Sequence, residues 1–211
     1  APERTVITNF QNAGGHLFVS GADIAWDLDR ASGPSAADCA FLNNALHADL
    51  GADANHNSGS YTVAPVGATI FTGSGNATFD NGTRGIYWVQ NPDALTPLGA
   101  GASAALSYVG GSGGTAAVQY DGSAGGGKVV YFGFPFETIT NAAARGAYMA
   151  DILRFFSKPA RFEAIAWLPD QRPLVTLGGE PGLTYTVLVS TNLTIWAPLT
   201  NILNVTGTVS L

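Results

Sequence analysis

One cysteine stands in the whole chain, Cys39. A lone thiol excludes an internal disulfide and any cysteine-built zinc site. It lies in the apolar stretch Ala36-Ala37-Asp38-Cys39-Ala40-Phe41-Leu42, where it reads as a small hydrophobe on a helix face. Charge is also scarce: Asp, Glu, Lys and Arg make up 11% of the residues, against roughly 25% in an average soluble domain. The 9 basic residues are scattered and outnumbered by 15 acidic ones, for a net charge of −6. A phosphate backbone is gripped by clustered Lys and Arg, so no nucleic-acid partner is expected. No apolar run approaches the ~20 residues that span a bilayer. The opening Ala1-Pro2-Glu3-Arg4 has no signal-peptide features, so any such peptide is expected upstream or already removed.

What is present points to a globular, glycine-rich protein, with 46% hydrophobic residues and 27 glycines. A surface of Ser, Thr, Asn and Gly in place of Lys and Glu suits a secreted or cell-surface bacterial protein. Val6, Ile7 and Phe10 fall at helical spacing over Arg4 to Ala13, and Gly14-Gly15 ends that helix. His16 to Ser20 reads as a short buried strand, and Gly21 allows a sharp turn. Ser35 caps a second helix carrying Cys39, Phe41, Leu42, Ala45 and Leu46.

From Asp49 to Tyr120 short β-type stretches alternate with turns: 61–63, 69–72, 85–89, 104–108 and 116–120. Asp80-Asn81-Gly82 and Tyr120-Asp121-Gly122 read as hairpin turns. The glycine runs 110–114 and 122–127 lack the following helix of a phosphate loop and read as turns. Lys128 to Phe134 is a second strongly apolar strand. A helix follows in which Ala144, Tyr148, Ile152 and Phe155 recur, and Pro159 stops it. Beyond Pro159 the pattern is purely β. Two domains are therefore expected, an α/β domain over 1–158 and a β-sandwich-like module over 159–211 that is short of strands.

The segments Gly14 to Asp29 and Lys128 to Ile139, with Ala116 to Gly122 between them, resemble secreted bacterial domains of the xanthan-lyase-like kind. These are similar to class I glutamine amidotransferases and accompany extracellular hydrolases. The resemblance covers roughly residues 4–157. It implies a flavodoxin-like α/β sheet with helices on both faces and β-hairpin insertions. Residues 179–185 and 190–196 resemble small C-terminal β-sandwich modules of secreted proteins. The resemblance implies that a first strand and helix precede residue 4 and that the last module continues for further strands, so both are expected to lie outside this sequence. A fragment, or a chain completed by a partner, is expected.

Amidotransferases place a cysteine on the turn after the strand and a histidine in a later aromatic-His-Pro-Glu motif. Here Ser20 holds the first place, and Phe134-Pro135-Phe136-Glu137 keeps only the glutamate. A serine hydroxyl needs a base to remove its proton. His16 lies on the same strand but about 13 Å away by strand rise. His47 and His56 have no spacing that brings them to Ser20, so no catalytic residue is assigned beyond Ser20 as a candidate.

A ligand-binding rim is expected instead from Ser20, Asp23, Trp26, Asp27, Asp29 and Glu137, beyond the carboxyl ends of the strands. Trp26 would stack on sugar and the carboxylates would bond hydroxyls. No organic cofactor is expected; calcium is the one ion suggested, at Asp27 and Asp29. His47, Asp49, Asp53 and His56 match no tight zinc spacing. Asn76, Asn81, Asn192 and Asn204 head glycosylation sequons.

Four functions compete on these residues. They are a non-catalytic accessory or assembly module, a carbohydrate-binding or polysaccharide-processing domain, a serine hydrolase using Ser20, and a fibre subunit joined by strand complementation.

Overall fold

The computed structural model describes residues 2–51 and 61–211; Asp53 and His56 lie outside the described residues. The chain divides into two compact units, Ala1–Phe156 and Ser157–Leu211. Among the described residues no helix is long and apolar enough to cross a membrane.

The first unit has helices α1 (Pro2–Asn12), α2 (Ile24–Asp29), α3 (Ala36–Ala45) and α4 (Ala142–Phe156). Its strands are β1 (Leu17–Ser20), β2 (Ala48–Leu50), β3 (Thr62–Pro65), β4 (Ala77–Thr78), β5 (Leu95–Pro97), β6 (Ala102–Tyr108), β7 (Thr115–Tyr120) and β8 (Val129–Phe132). They form one sheet in the order β1-β8-β7-β6-β3-β4, with β5 joined to β7 and β2 to β5. Among the described residues only β1 and β8 run parallel; every other pair is antiparallel.

This overturns the flavodoxin-like α/β class, which rests on parallel strands joined by helical crossovers. The physical reason is in the connections. Residues 109–114 and 121–128 join β6 to β7 and β7 to β8. Parallel neighbours need a crossover of a dozen or more residues, and these glycine-rich links permit only hairpins. The unit is a mainly antiparallel mixed sheet.

Alternation along β8 divides the core. Val129 and Tyr131 enter a cluster with Val118 and Tyr120 of β7 and with Leu42 and Leu46 at α3. Val130 and Phe132 enter a second cluster with Phe79, Phe134, and Tyr148 and Ile152 of α4. Strand periodicity of two sends neighbours to opposite faces, so each face meets its own helix. Phe79 stacks on Phe134 with ring centroids 4.6 Å apart.

Ser35 caps α3 through a capping box. Its hydroxyl accepts the Asp38 amide at 3.3 Å, and the Asp38 carboxylate takes the Ser35 amide at 2.7 Å. Helix α1 departs from expectation: Val6 and Phe10 are 67% and 53% exposed, and the residue it buries is Gln11. The Gln11 amide donates to the Gly127 carbonyl at 3.0 Å, so a polar anchor takes the place of an apolar face.

The second unit holds β9 (Arg161–Trp167), β10 (Pro173–Gly178), β11 (Thr184–Val189), β12 (Ala197–Leu203) and β13 (Thr208–Ser210). They form a three-stranded sheet, β13-β10-β9, and a two-stranded ribbon, β11-β12, all antiparallel. An apolar cleft of about 470 Å³ lies between Phe162, Leu177, Tyr185, Leu188 and Trp196. Phe162, Ile165, Trp167, Leu199 and Leu203 are exposed.

Candidate functional site

The carboxyl ends of β1 and β8 open into a cavity of about 440 Å³. Strand β1 ends at Ser20, in register with Phe132, and the Gly21 amide donates to the Phe132 carbonyl at 3.2 Å. The chain then turns through Ala22 to Asp23, which takes a left-handed conformation (φ 61°, ψ 5°) just before α2. A non-glycine residue held there carries strain that surrounding structure must impose. Asp23 lines the cavity, and burial, then the nearby Asp27, raises its carboxyl above the ordinary range.

The opposite wall comes from the segment after β8. Pro135 leads into a 3-10 helix, Phe136–Thr138, whose Glu137 faces the cavity. Tyr87 donates its hydroxyl to Glu137 Oε1 at 3.0 Å. Burial, then this carboxylate, pushes the Tyr87 phenol up to about 12. Trp88 stands beside it, its indole N–H donating to the Tyr61 hydroxyl at 3.0 Å while 55% of the residue stays exposed. Gln90 and Asn91 complete this wall.

Residues 85–89 were expected to form a strand, and they do not. Asp80 is fully buried, and its carboxylate accepts the amides of Gly82 (2.8 Å), Arg84 (3.0 Å) and Ile86 (2.7 Å). Those amides are then lost to any sheet ladder, so the chain closes into a loop. The expected hairpin turn at Asp80-Asn81-Gly82 is the start of that loop. Burial opposes ionisation of Asp80, but the Ile86, Arg84, Gly82 and Thr83 amides outweigh it and hold the carboxyl below its usual range.

Behind the cavity lies a buried carboxyl, Asp93. Its Oδ2 accepts the Ala25 amide at 2.8 Å, its own amide donates to the Gly133 carbonyl at 2.6 Å, and the Tyr108 hydroxyl donates to its carbonyl at 2.8 Å. Glycine is required at 133, because a Cβ there would fall 2.2 Å from the Asp93 carbonyl oxygen. Burial first, then Asp23 and Asp27, raise Asp93 to about 7, against the opposing pull of the Ala25 and Trp26 amides. Burial, then the Asp93 charge, also raises the Tyr131 hydroxyl.

Of the six residues expected at the rim, Ser20, Asp23 and Glu137 meet in this cavity. Trp26, Asp27 and Asp29 do not line it. Trp26 is half-buried on α2. Asp27 pairs with Arg30 at 2.6 Å. Asp29 turns the other way, toward Asp49, Cys39 and the Leu50 amide. A hydrogen bond between Asp29 and Asp49 lowers the first carboxyl and raises the second, the signature of two acids sharing a proton. Burial, then Asp29, raises the Cys39 thiol. Among the described residues no group of three or more His, Cys, Asp or Glu side chains is placed to hold a metal ion.

The two described histidines stand elsewhere. His16 precedes β1, where its Nδ1 accepts the Lys128 amide at 3.0 Å. His47 stacks on Tyr120 with centroids 3.5 Å apart, and burial lowers its pKa. Of the sequons, Asn204 is buried and its Oδ1 accepts the Gly207 amide, which withdraws it from modification in the folded chain. Tyr87, Trp88, Asp80 and Asp93 escaped the sequence reading. The signal was there in Asp80 followed at once by Asn-Gly, an Asx-type loop start ahead of exposed aromatics.

No protein-family model matches the chain, and no curated protein matches it. Among solved structures it is similar to a β-galactosidase from Rahnella sp. R3 at TM-score 0.46 and 15% identity, covering 99% of this chain and 28% of that one. It is similar also to a β-galactosidase from Bacillus circulans sp. alkalophilus at TM-score 0.46 and 12% identity, covering 99% of this chain and 29% of that one. The chain thus spans less than a third of either.

Proposed function

We propose that this chain is a non-catalytic, carbohydrate-contacting part of a secreted or cell-surface protein, with the cavity between Ser20 and Trp88 as its contact site. One observation carries the reading: two exposed aromatic rings, Tyr87 and Trp88, share an open cavity with two carboxylates and two side-chain amides. Sugars offer apolar C–H faces to aromatic rings and hydroxyls to carboxylates and amides, and a cavity of this mixture meets both needs. The scarcity of charge and the abundance of glycine support the setting.

Ser20 serves here as a hydroxyl at the rim. His16 belongs to the other end of β1 and His47 to Tyr120, so neither described histidine supports a serine nucleophile. The charged side chains of the lining, Asp23 and Glu137, are both acidic. Like charges repel, so the site favours neutral saccharides over uronate-bearing ones.

Affinity electrophoresis through gels containing hydroxyethyl cellulose, galactan or xanthan tests this. Retention is expected in a neutral gel, with Trp88→Ala weakening it by roughly tenfold, equivalent to about 1.4 kcal/mol. Equal mobility in all three gels, or retention in xanthan alone, would overturn the reading.

A further inference from the structure

We infer that Asp80 is the positioning residue of this cavity: its buried carboxylate folds residues 80–89 into the loop that sets Tyr87 against Glu137 and Trp88 at the edge. The inference rests on the saccharide reading for its ligand, though not for its geometry. Ile86, Tyr87 and Trp88 are three large side chains in succession, 42%, 46% and 55% exposed. Apolar packing does not explain why such a run is held outward in water. Backbone capture does. Three alternate amides converge on one carboxylate at 2.7–3.0 Å.

Asp80 also closes the base of the loop. Its carbonyl accepts the Val89 amide at 3.2 Å, and its own amide donates to the Thr138 carbonyl at 2.9 Å. That second bond fastens the loop to the residue after Glu137, with the Phe79–Ile139 bridge alongside. The aromatic wall and the carboxylate wall are thereby referred to one residue outside the lining, the carboxylate folding the loop and the backbone fastening its base. Charge-assisted bonds from backbone amides are the stronger kind, so a single carboxylate suffices to fix the loop.

The test compares wild type, Asp80→Asn and Asp80→Ala by amide hydrogen exchange and by retention in the hydroxyethyl cellulose gel. In wild type the amides of Gly82, Arg84 and Ile86 are expected to be protected. Asp80→Ala should lose that protection and at least tenfold of the retention while still unfolding cooperatively. Asp80→Asn, which keeps one acceptor oxygen, should recover part of both and decides the matter where the alanine variant does not fold. A purely structural role would lower stability and leave retention of the folded protein unchanged; that result overturns the inference. So would amides of 82, 84 and 86 that exchange in wild type as fast as in the alanine variant. Should wild type bind none of the gels, the saccharide reading falls, and the exchange rates of the 82, 84 and 86 amides still decide the positioning role.

Discussion

Replacing Asp93 by asparagine should abolish a pH dependence that the folded chain imposes on its own stability. Asp93 sits near 7 when folded and should return to about 3.9 in an unfolded chain. Below pH ~4 it is protonated in both states, and above ~7 it is ionised in both. Between them the native state binds a proton that the unfolded state has released, so stability falls as pH rises across that window. Three units at 1.36 kcal/mol each give a loss on the order of 4 kcal/mol, a large share of the 5–15 kcal/mol typical of a domain. The asparagine carbonyl can still accept the Ala25 amide but cannot ionise. Urea midpoints at half-unit steps from pH 4.5 to 8.5 would read the effect. Wild type minus variant isolates Asp93, because carboxylates common to both chains largely cancel in the difference. The two proteins should be closest in stability at pH 4.5, with the variant gaining steadily on wild type and standing the more stable at pH 8. A flat difference curve, or one that rises with pH in favour of wild type, would refute the burial argument.

Two further expectations follow from local geometry. Gly133→Ala places a methyl 2.2 Å from a backbone oxygen, with no flexible side chain to yield. It should cost at least the ~1–3 kcal/mol of an overpacked site, read as a lowered urea midpoint; a neutral outcome would show that the segment before β5 that carries Asp93 can move away. Ser35→Ala removes one half of the α3 capping box. It should cost about 1 kcal/mol, a melting shift of roughly 2–4 °C, and no shift would mean that Asp38 satisfies the helix start alone.

Burial was legible in the sequence to the extent that it follows period. The apolar runs at 104–108, 116–120 and 129–132 are strands, and Tyr148 and Ile152 are the buried stripe of α4. Direction of pairing is a different property. An apolar strand such as Val129 to Phe132 reads the same whether its neighbour runs with it or against it. What decides is the length of the link, and the glycine runs 110–114 and 122–127 leave room for hairpins alone. The links carried the topology, while the likeness of the motifs at 14–29 and 128–139 suggested a parallel sheet. Periodicity failed at α1 for a similar reason. Val6, Ile7 and Phe10 have helical spacing, yet one buried amide, Gln11 on Gly127, decides which face turns inward.

The rim shows the same limit at the scale of single residues. Asp23, Trp26, Asp27 and Asp29 look like one cluster because they are close in sequence. A helix turns about 100° per residue, so Asp27 and Asp29 on α2 project some 200° apart. One meets Arg30 and the other Asp49. Asp23 alone stays with Ser20, because it precedes the helix in a left-handed turn. The aromatic partner is then supplied from more than sixty positions downstream, by Trp88 in place of the neighbouring Trp26. Strand periodicity does not place it there; the one local cue is Asp80-Asn81-Gly82, because the position depends on the Asp80 carboxylate capturing the backbone of a segment whose side chains read as strand. A site assembled from residues 20–23, 87–91 and 135–137 is a property of three loop ends meeting. The strands decide where those ends begin, and the side-chain-to-backbone bonds of Asp80 and Asp93 decide where they stop.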